Sequence, residues 1–432
     1  MKNFIKKPSA VDLWARLKIK RRAIATLAAF HFYGNPSARL KIVGVTGTNG
    51  KTTTATLLYK IATELGYKAG LIGTVENIII NEKRPALRTT PSPIPLNRLL
   101  SEMADKGCEY VFMEVSSHAL DQKRVAGINF VGGIFTNLTQ DHLDYHKSME
   151  HYFLAKKKFF QSLNKDAFAL SNADDEHGKE IIEDTKAKKY LYGFQELPDV
   201  GRLEDQTSNV CEYFHGKILK LDFSGLELSF NGEKIKSKLL GKFNAYNLLA
   251  IWSASNLLGF DMGKVKKIIE NIEPPKGRFD HFISFNGVLG IVDFAHTPDA
   301  LEKILLAIKE IKTTDGKIIS VFGCGGDRDP LKRRIMGKIG ATLSDIAIFT
   351  SDNPRSEDPE KIISAMKTDL SMTDSRKVIS IPNRSKAIKE AVNLSKKGDI
   401  ILCAGKGHEE YQEIKGFKYD FNDMEELKKN LR

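Results

Sequence analysis

Two α/β domains, each on a mostly parallel sheet, are predicted by three observations. Short apolar runs alternate with helical patterns along most of the chain. The alternation is interrupted at "NIEPPKGRFDHF" (Asn271–Phe282), where two prolines and a glycine follow a helical segment. A second series of strands then begins. A length of 432 residues suits two or three domains, and 41% hydrophobic with 28% charged residues is a globular composition. The expected limits are 1–40 for a short N-terminal helical remnant, 41–275 for a central domain and 276–432 for a C-terminal domain.

The elements follow in order. "AIATLAAFHFY" (Ala23–Tyr33) is too short for a membrane span, and its basic flank and internal histidine make a poor signal peptide. It is expected to pack as a helix on the body of the protein. "LKIVGVTG" is apolar and β-branched, a buried strand, and "KTTTATLLYKIATEL" has helical spacing. Between them lies "VTGTNGKTTT" (Val45–Thr54). A strand, a Gly-rich turn and a helix start make an anion site, because backbone N–H groups and the helix dipole favour negative charge. Val45 stands where the first glycine of G-x-x-x-x-G-K-[ST] belongs, so the loop is a phosphate loop of a different subtype. Gly47 and Gly50 allow close backbone approach, Lys51 can reach the β- and γ-phosphates, and the Thr52 hydroxyl can ligate Mg²⁺. No N-K-x-D guanine motif is present, which favours ATP.

"EYVFMEV" (Glu109–Val115), "FVGGIFTNL" (Phe130–Leu138) and "FALSNADD" (Phe168–Asp175) read as further core strands. From Gly201 to about Leu240 the pattern is more polar, with a hairpin turn at Asn231-Gly232, and reads as an antiparallel extension of the central domain. The C-terminal series is "VLGIVDF", "KIISVFG", "IAIFTSD" and "GDIILCAGKG", a Rossmann-like alternation. Each strand ends in a polar or Gly-rich loop, where open α/β sheets present ligand contacts.

The net charge of +12 admits nucleic acid, an anionic membrane or acidic small substrates. Zinc-finger spacing and aromatic RNA-binding motifs are missing, and the lysines are scattered, so an acidic nucleotide substrate is expected rather than nucleic acid or membrane insertion. Cys108, Cys211, Cys324 and Cys403 show no C-x-x-C and read as buried thiols of a reducing cytoplasm.

Several clusters carry chemistry. Glu114 ends a strand beside the loop, where an acid can reach loop-bound Mg²⁺. His142 and His146 are four apart, a possible zinc pair, but no H-E-x-x-H or third soft ligand accompanies them, and a Mg²⁺-associated or structural histidine is the better reading. Lys156, Lys157 and Lys158 in "HYFLAKKKFF" read by periodicity as a solvated basic edge. Asn247, inside the helix of "GKFNAYN", is a candidate for hydrogen bonding a base. Asp293 ends a strand and could bind a ribose hydroxyl. "VFGCGGDRDPLKRR" is a Gly-rich turn followed by Arg328, Lys332, Arg333 and Arg334, which suits an anion.

Together "GVTGTNGKTT", "TTP" (Thr89–Pro91), "MEVSSHALDQKRV", "FTNLTQDHLDYH", "YFLAK", "NADDE", "GKFNAYN", "VDFAHTPDAL", "VFGCGGDRD", "SDNPRSEDP" and "GKGHEEYQ" resemble the Mur ligase family, most closely its MurE type. They run from about Lys41 to the end, in family order. In that family the loop is G-T-N-G-K-T, so Val45 is expected. The resemblance implies an ATP-dependent amide ligase acting on a UDP-muramoyl dipeptide and an amino acid through an acyl phosphate. It implies that Gly47, Thr48, Asn49, Gly50, Lys51, Thr52 and Thr53 bind ATP, and that Asn247, Arg278 and Asp293 contact the adenosine. Thr52 and Glu114 would hold one Mg²⁺; His142 and a carbamylated Lys156 would serve a second. Thr89, Thr90, Ser116, Gln122 and Arg124 match positions that grip the muramoyl peptide. Arg333, Asp352, Asn353, Arg355, Gly405 and Glu409 match the amino-acid site, and the "DNPR" sequence marks members that add meso-diaminopimelate.

Two departures stand out. The family carries a uridine-binding N-terminal domain, whereas about forty residues precede the loop here, so a shortened grip, a partner protein or a different carrier is expected. In "IPNRSKAI" Asn383 stands where Asp is usual. A monomer is expected. The rival readings are a folylpolyglutamate synthetase-like ligase, against which Thr52-Thr53 and "DNPR" argue, and a non-catalytic nucleotide-binding regulator, against which the intact Lys51, Glu114, His142 and Lys156 argue.

Overall fold

The computed structural model describes residues 32–196, 210–312 and 315–431. The helix expected at Ala23–Tyr33 lies outside them except for its last two positions. By compactness the chain forms two units. Met1–Lys217, Ser229–Ile235 and Tyr246–Glu270 make the first; Ile218–Leu228, Lys236–Ala245 and Asn271–Arg432 make the second.

The strands β1 (Lys41–Thr46), β2 (Ala69–Ile72), β3 (Glu76–Ile79), β4 (Glu82–Pro85), β5 (Tyr110–Glu114), β6 (Phe130–Phe135), β7 (Phe168–Asn172), β8 (Lys188–Gly193), β9 (Val210–Asp222), β10 (Gly225–Phe230) and β11 (Glu233–Ser237) form one sheet. Their order is β11-β10-β9-β8-β7-β6-β1-β5-β2-β3-β4. From β2 to β9 the neighbours run parallel. The polar stretch before Leu240 therefore enters the sheet differently from expectation: β9 joins parallel to β8 rather than through an antiparallel pair. β1 is apolar and β-branched and is buried beyond its first residue, as a strand covered on both faces must be. β3 and β4 add an antiparallel edge.

Register sets the site. Val45 pairs with Glu114 and Thr46 with Phe135, so the carboxyl ends of β1, β5 and β6 stop together. Two glycines let the helix Met149–Gln161 lie close to this sheet. A Cβ on Gly44 would stand 2.5 Å from Phe159 Cζ, and one on Gly133 would stand 2.9 Å from Phe159 Cε1. Neither distance is compatible with a side chain, so the sheet–helix approach requires glycine at both positions.

In the second unit β12 (Asp280–Ile283), β13 (Leu289–Asp293), β14 (Ile318–Phe322), β15 (Ile346–Phe349), β16 (Val378–Ser380) and β17 (Ile400–Ala404) run in the order β12-β13-β17-β14-β15-β16. Only the β12–β13 pair is antiparallel. Strand alternation divides the core between two faces. Ile291, Phe322, Phe349 and Leu402 lie in one cluster; Val292, Val321, Ile348 and Cys403 lie in the other. A separate hairpin, β18 (Tyr411–Ile414) with β19 (Phe417–Asp420), follows the last sheet strand.

A wholly buried ion pair braces this unit. Arg384 donates to both oxygens of Asp423, at 2.7 and 2.6 Å, and also to the carbonyls of Ser351 at 3.2 Å and Ala404 at 3.0 Å. One guanidinium thus ties together the loops after β15 and β17. The preceding Asn383 caps the helix Arg384–Leu394, accepting from Lys386 N at 2.9 Å. Asn caps as well as Asp, which accounts for the departure at this position. Among the described residues no helix is long and apolar enough to cross a membrane. Cys108, Cys324 and Cys403 are buried free thiols, and burial pushes Cys324 up to about 12.

Candidate active site

The loop Gly47–Gly50 leaves β1 and enters the helix Lys51–Glu64, with Gly50 at its N-cap in the left-handed region (φ 85°). Gly47 has no room for a side chain, because a Cβ would stand 1.9 Å from Thr136 Oγ1. Asn137 fixes the loop's shape. Its carbonyl accepts from Thr48 N at 2.8 Å and its Oδ1 from Asn49 N at 2.9 Å. Thr136 Oγ1 donates to Asn49 O at 2.6 Å, and Thr48 Oγ1 meets Tyr152 OH at 3.1 Å. Lys51 Nζ folds over the loop and donates to the carbonyls of Gly47 at 3.0 Å and Thr48 at 2.8 Å. Thr52 and Thr53 are buried in the first turn of the helix. Asn247 is buried over the loop, its Oδ1 2.4 Å from where a Gly50 Cβ would stand. The structure thus brings Asn247 to the phosphate loop.

Glu114, at the end of β5, is 1% exposed and sits among hydroxyls. Its Oε2 accepts from Thr52 Oγ1 at 2.9 Å and from Thr74 Oγ1 at 2.9 Å, and its Oε1 accepts from Thr74 N at 2.7 Å. Thr74 Oγ1 also lies 3.1 Å from Thr89 Oγ1, and with its own proton on Glu114 it accepts from the Thr89 hydroxyl. The network continues through the residues expected to grip the peptide. Thr90 Oγ1 donates to Glu114 O at 2.8 Å and accepts from Ser116 N at 3.0 Å. Arg124 Nη1 donates to Thr90 O at 2.7 Å, while its Nε and Nη2 hold Gln122 Oε1 at 3.1 and 2.8 Å. The fold therefore brings Thr89, Thr90, Ser116, Gln122 and Arg124 into one hydrogen-bonded group next to Thr52 and Glu114.

Lys156 corrects the expectation of a solvated basic edge: it is 1% exposed and Lys157 is 8% exposed. Lys156 Nζ donates to Gly47 O at 2.7 Å and lies 4.5 Å from the centroid of the Tyr152 ring. Burial, and then the neighbouring charge of Lys51, holds this amine well below the ordinary lysine range, against the pull of Asp141. Lys157 instead pairs with Asp184 at 2.9 Å. His142 and His146 both pack against the His118 ring, at 4.8 and 5.6 Å between centroids, and against Tyr152, at 6.1 and 5.1 Å. His142 is the N-cap of the short helix Leu143–His146, at φ 54°, exposed and 4.8 Å ring to ring from His118. His146 is buried against Ser117 Oγ at 3.0 Å.

The remaining candidates lie in the second unit. Both oxygens of Asp293 accept backbone N–H groups, from Phe279 at 2.7 Å and Ala295 at 2.8 Å. Burial raises its pKa, with Arg278 opposing. Arg278 lies over the Phe294 ring at 5.0 Å. Arg333 makes a two-pronged pair with Glu357 at 2.9 and 2.7 Å. Arg355, at φ 51°, pairs with Glu413 at 3.2 Å and donates to Gly326 O at 2.8 Å. Asn353 Nδ2 donates to Glu409 Oε2 at 2.8 Å. Gly405 has φ 113°, and a Cβ there would stand 2.6 Å from Asp352 Oδ2. The loops after β15 and β17 therefore bring Asp352, Asn353, Arg355, Gly405 and Glu409 together.

Sequence reasoning missed Thr74, Asn137, Tyr152 and Lys406. Asn137 directly follows a strand beside the loop, which is a usable signal; nothing local marks Thr74 as a partner of Glu114.

Comparison with known proteins identifies the family. Residues 45–254 match the Mur ligase middle domain and residues 277–407 match the Mur ligase glutamate ligase domain. A UDP-N-acetylmuramoyl-L-alanyl-D-glutamate–2,6-diaminopimelate ligase of Bacteroides fragilis is 51% identical over 401 residues, 93% of this chain and 80% of its own length. A protein of the same name from Cytophaga hutchinsonii is 48% identical over 416 residues, 96% of this chain and 82% of its own. A solved structure of such a ligase superposes with a TM-score of 0.64 at 32% identity, covering 91% of this chain and 78% of that one. A Mycobacterium tuberculosis folylpolyglutamate synthase reaches 0.68 at only 17% identity, covering 89% and 92%, and that likeness is one of fold alone. The chain belongs to the Mur ligase family, in its MurE type.

Proposed function

We propose that this protein is an ATP-dependent ligase that joins meso-diaminopimelate to the D-glutamate carboxylate of UDP-N-acetylmuramoyl-L-alanyl-D-glutamate, in cytoplasmic peptidoglycan synthesis. The observation that carries the reading is the Thr52–Glu114 contact at 2.9 Å. It joins a phosphate loop directly to the Thr90–Ser116–Arg124 group, so nucleotide and acceptor-peptide contacts form one network.

The reaction transfers the γ-phosphoryl group of ATP to the peptide carboxylate, giving an acyl phosphate and ADP. The amine of the incoming amino acid attacks the acyl carbon, and the tetrahedral intermediate expels phosphate to leave an amide. The protein's tasks are positioning and charge neutralisation. Lys51 and the first turn of its helix face the phosphates. Thr90, Ser116, Gln122 and Arg124 orient the carboxylate. The Thr52 hydroxyl and Glu114 carboxylate are hard oxygen donors suited to Mg²⁺, which when bound offsets phosphate charge. Lys156 fits a second site as a carbamate. Its amine is buried with its pKa held well below the ordinary lysine range, so it gives up the ammonium proton readily; the free amine can then add to CO₂ with loss of a second proton, placing an anion beside the loop. His142 is the neighbouring ligand candidate. Arg355 supplies a guanidinium for the distal carboxylate of diaminopimelate, with Arg333, Asp352, Asn353, Gly405 and Glu409 around the rest of the zwitterion. Asn247, Arg278 and Asp293 serve the adenosine.

The test is phosphate release and product mass with ATP, the UDP-muramoyl dipeptide and an amino-acid panel. Release that requires the dipeptide and meso-diaminopimelate together is expected. Release with folate polyglutamates instead would replace this reading.

A further inference from the structure

Lys406 is wholly buried, yet it carries a charge that the reaction scheme does not use. It lies in the loop after β17. Its Nζ donates to Glu409 Oε2 at 2.9 Å and to Asn353 Oδ1 at 3.1 Å. The Asn353 amide closes the triangle, with Nδ2 on Glu409 Oε2 at 2.8 Å, while its Oδ1 also accepts from Glu413 N at 2.8 Å. The Tyr411 ring centroid lies 5.7 Å from Nζ. Two donors therefore occupy one oxygen of Glu409, and the side chain is 22% exposed. A carboxylate gripped on Oε2 by an ammonium and an amide has a fixed plane, and its Oε1 is the oxygen left to meet a ligand.

We propose that Lys406 is a positioning residue for the amino-acid substrate. It holds the Glu409 carboxylate in one orientation through Oε2, so that Oε1 accepts an ammonium group of the incoming diamino acid. It also locks Asn353 to the loop after β17. The inference rests on the reading of Glu409 as part of the amino-acid site. A buried lysine with no carboxylate to balance would be strongly unfavourable, and so would the carboxylate without the lysine. Lys406 does not touch substrate in this account, and its effect is transmitted through Glu409.

The experiment compares Lys406→Met, Lys406→Gln, Glu409→Gln and the double variant Lys406→Met/Glu409→Gln. The readouts are the KM for meso-diaminopimelate, the KM for ATP, kcat and Tm. Lys406→Met is expected to raise the diaminopimelate KM by about tenfold or more, the scale of losing one partner of a buried charge pair, with the ATP KM within about twofold. Glu409→Gln is expected to raise the same KM. In the Glu409→Gln background the Lys406 change should add less than about threefold, because two residues acting through one contact are not additive. The double variant should melt above Lys406→Met, since it strands no charge. Should Lys406→Met fail to fold, Lys406→Gln and the double variant supply the same comparison. A diaminopimelate KM unchanged in the Lys406 variants, a parallel rise in both KM values, or a full multiplicative effect on top of Glu409→Gln would overturn the proposal while leaving Glu409 in its site. An unchanged KM in Glu409→Gln would overturn both readings.

Discussion

In the first unit the candidate nucleotide site is made chiefly of backbone; in the second the candidate amino-acid site is made of paired side-chain charges. Around the phosphate loop, Lys51 and Lys156 both donate to the Gly47 carbonyl, and Asn137 takes the N–H groups of Thr48 and Asn49. Around the loops after β15 and β17, Arg333 meets Glu357, Arg355 meets Glu413 and Lys406 meets Glu409. The difference bears on specificity. A backbone cradle binds any polyphosphate of the right shape, and its affinity comes from charge and preorganisation. A lattice of internal ion pairs binds only a ligand whose own charges can join or replace those pairs, so it discriminates among amino acids.

The comparison predicts unequal damage. Lys51→Ala removes the loop lysine that is expected to reach the phosphates, and phosphate-release rates are expected to fall by about 10³-fold with little change in Tm. Near-normal turnover would break the nucleotide half of the comparison. Lys156 should be nearly as sensitive, and to charge type as well as size. Lys156→Ala is expected to lose about 10²-fold and to be partly rescued by a short carboxylic acid, whereas Lys156→Arg, which cannot form this carbamate, should stay inactive. Full activity in the arginine variant would rule out a metal-facing anion. In the second unit the expected change is in selectivity. Arg355→Ala should lower the ratio of kcat/KM for meso-diaminopimelate over L-lysine by about 30-fold, the lower end of the cost of losing one partner of a desolvated pair. An unchanged ratio with lowered Tm would make Arg355 a partner of Glu413 and nothing more. The smallest effect is expected at Thr74. Thr74→Val keeps the backbone bond to Glu114 and loses the hydroxyl, and the Mg²⁺ concentration for half-maximal rate should rise by about tenfold. No shift would mean that Thr52 and the Thr74 backbone N–H suffice to position Glu114.

The same contrast explains what could be read from the sequence. The phosphate loop is contiguous, so "VTGTNGKTTT" between a strand and a helix announces both its conformation and its chemistry. The two series of alternating strands likewise gave the α/β class and the loops that line each sheet edge. Lys156 could not be read this way. Three lysines in a row on a helix look solvated, and the burial of Lys156 depends on Gly44 and Gly133, distant residues that let the helix approach the sheet. The β3–β4 edge passed unnoticed because "ENIIINEKRP" lacks a long apolar run. Thr74 was invisible for a related reason: it acts on Glu114, forty residues away and brought near by topology. Lys406 lies within "GKGHEEYQ", three residues before Glu409, but nothing in that motif marks it as a buried partner of the carboxylate. Arg333 and Arg355 were legible as cations, but their partners Glu357 and Glu413 were fixed only by the folded loops.

The central claim is that one chain couples ATP hydrolysis to joining a diamino diacid to a nucleotide-linked peptide. The most direct measurement is phosphate release by the wild-type protein with ATP and UDP-N-acetylmuramoyl-L-alanyl-D-glutamate, with meso-diaminopimelate or L-lysine as the third substrate. The account predicts release only when all three substrates are present, a product heavier by one diaminopimelate residue, and a strong preference for diaminopimelate over lysine. Preference for lysine would contradict the assignment of Arg355, and release independent of the peptide would contradict the ligase itself.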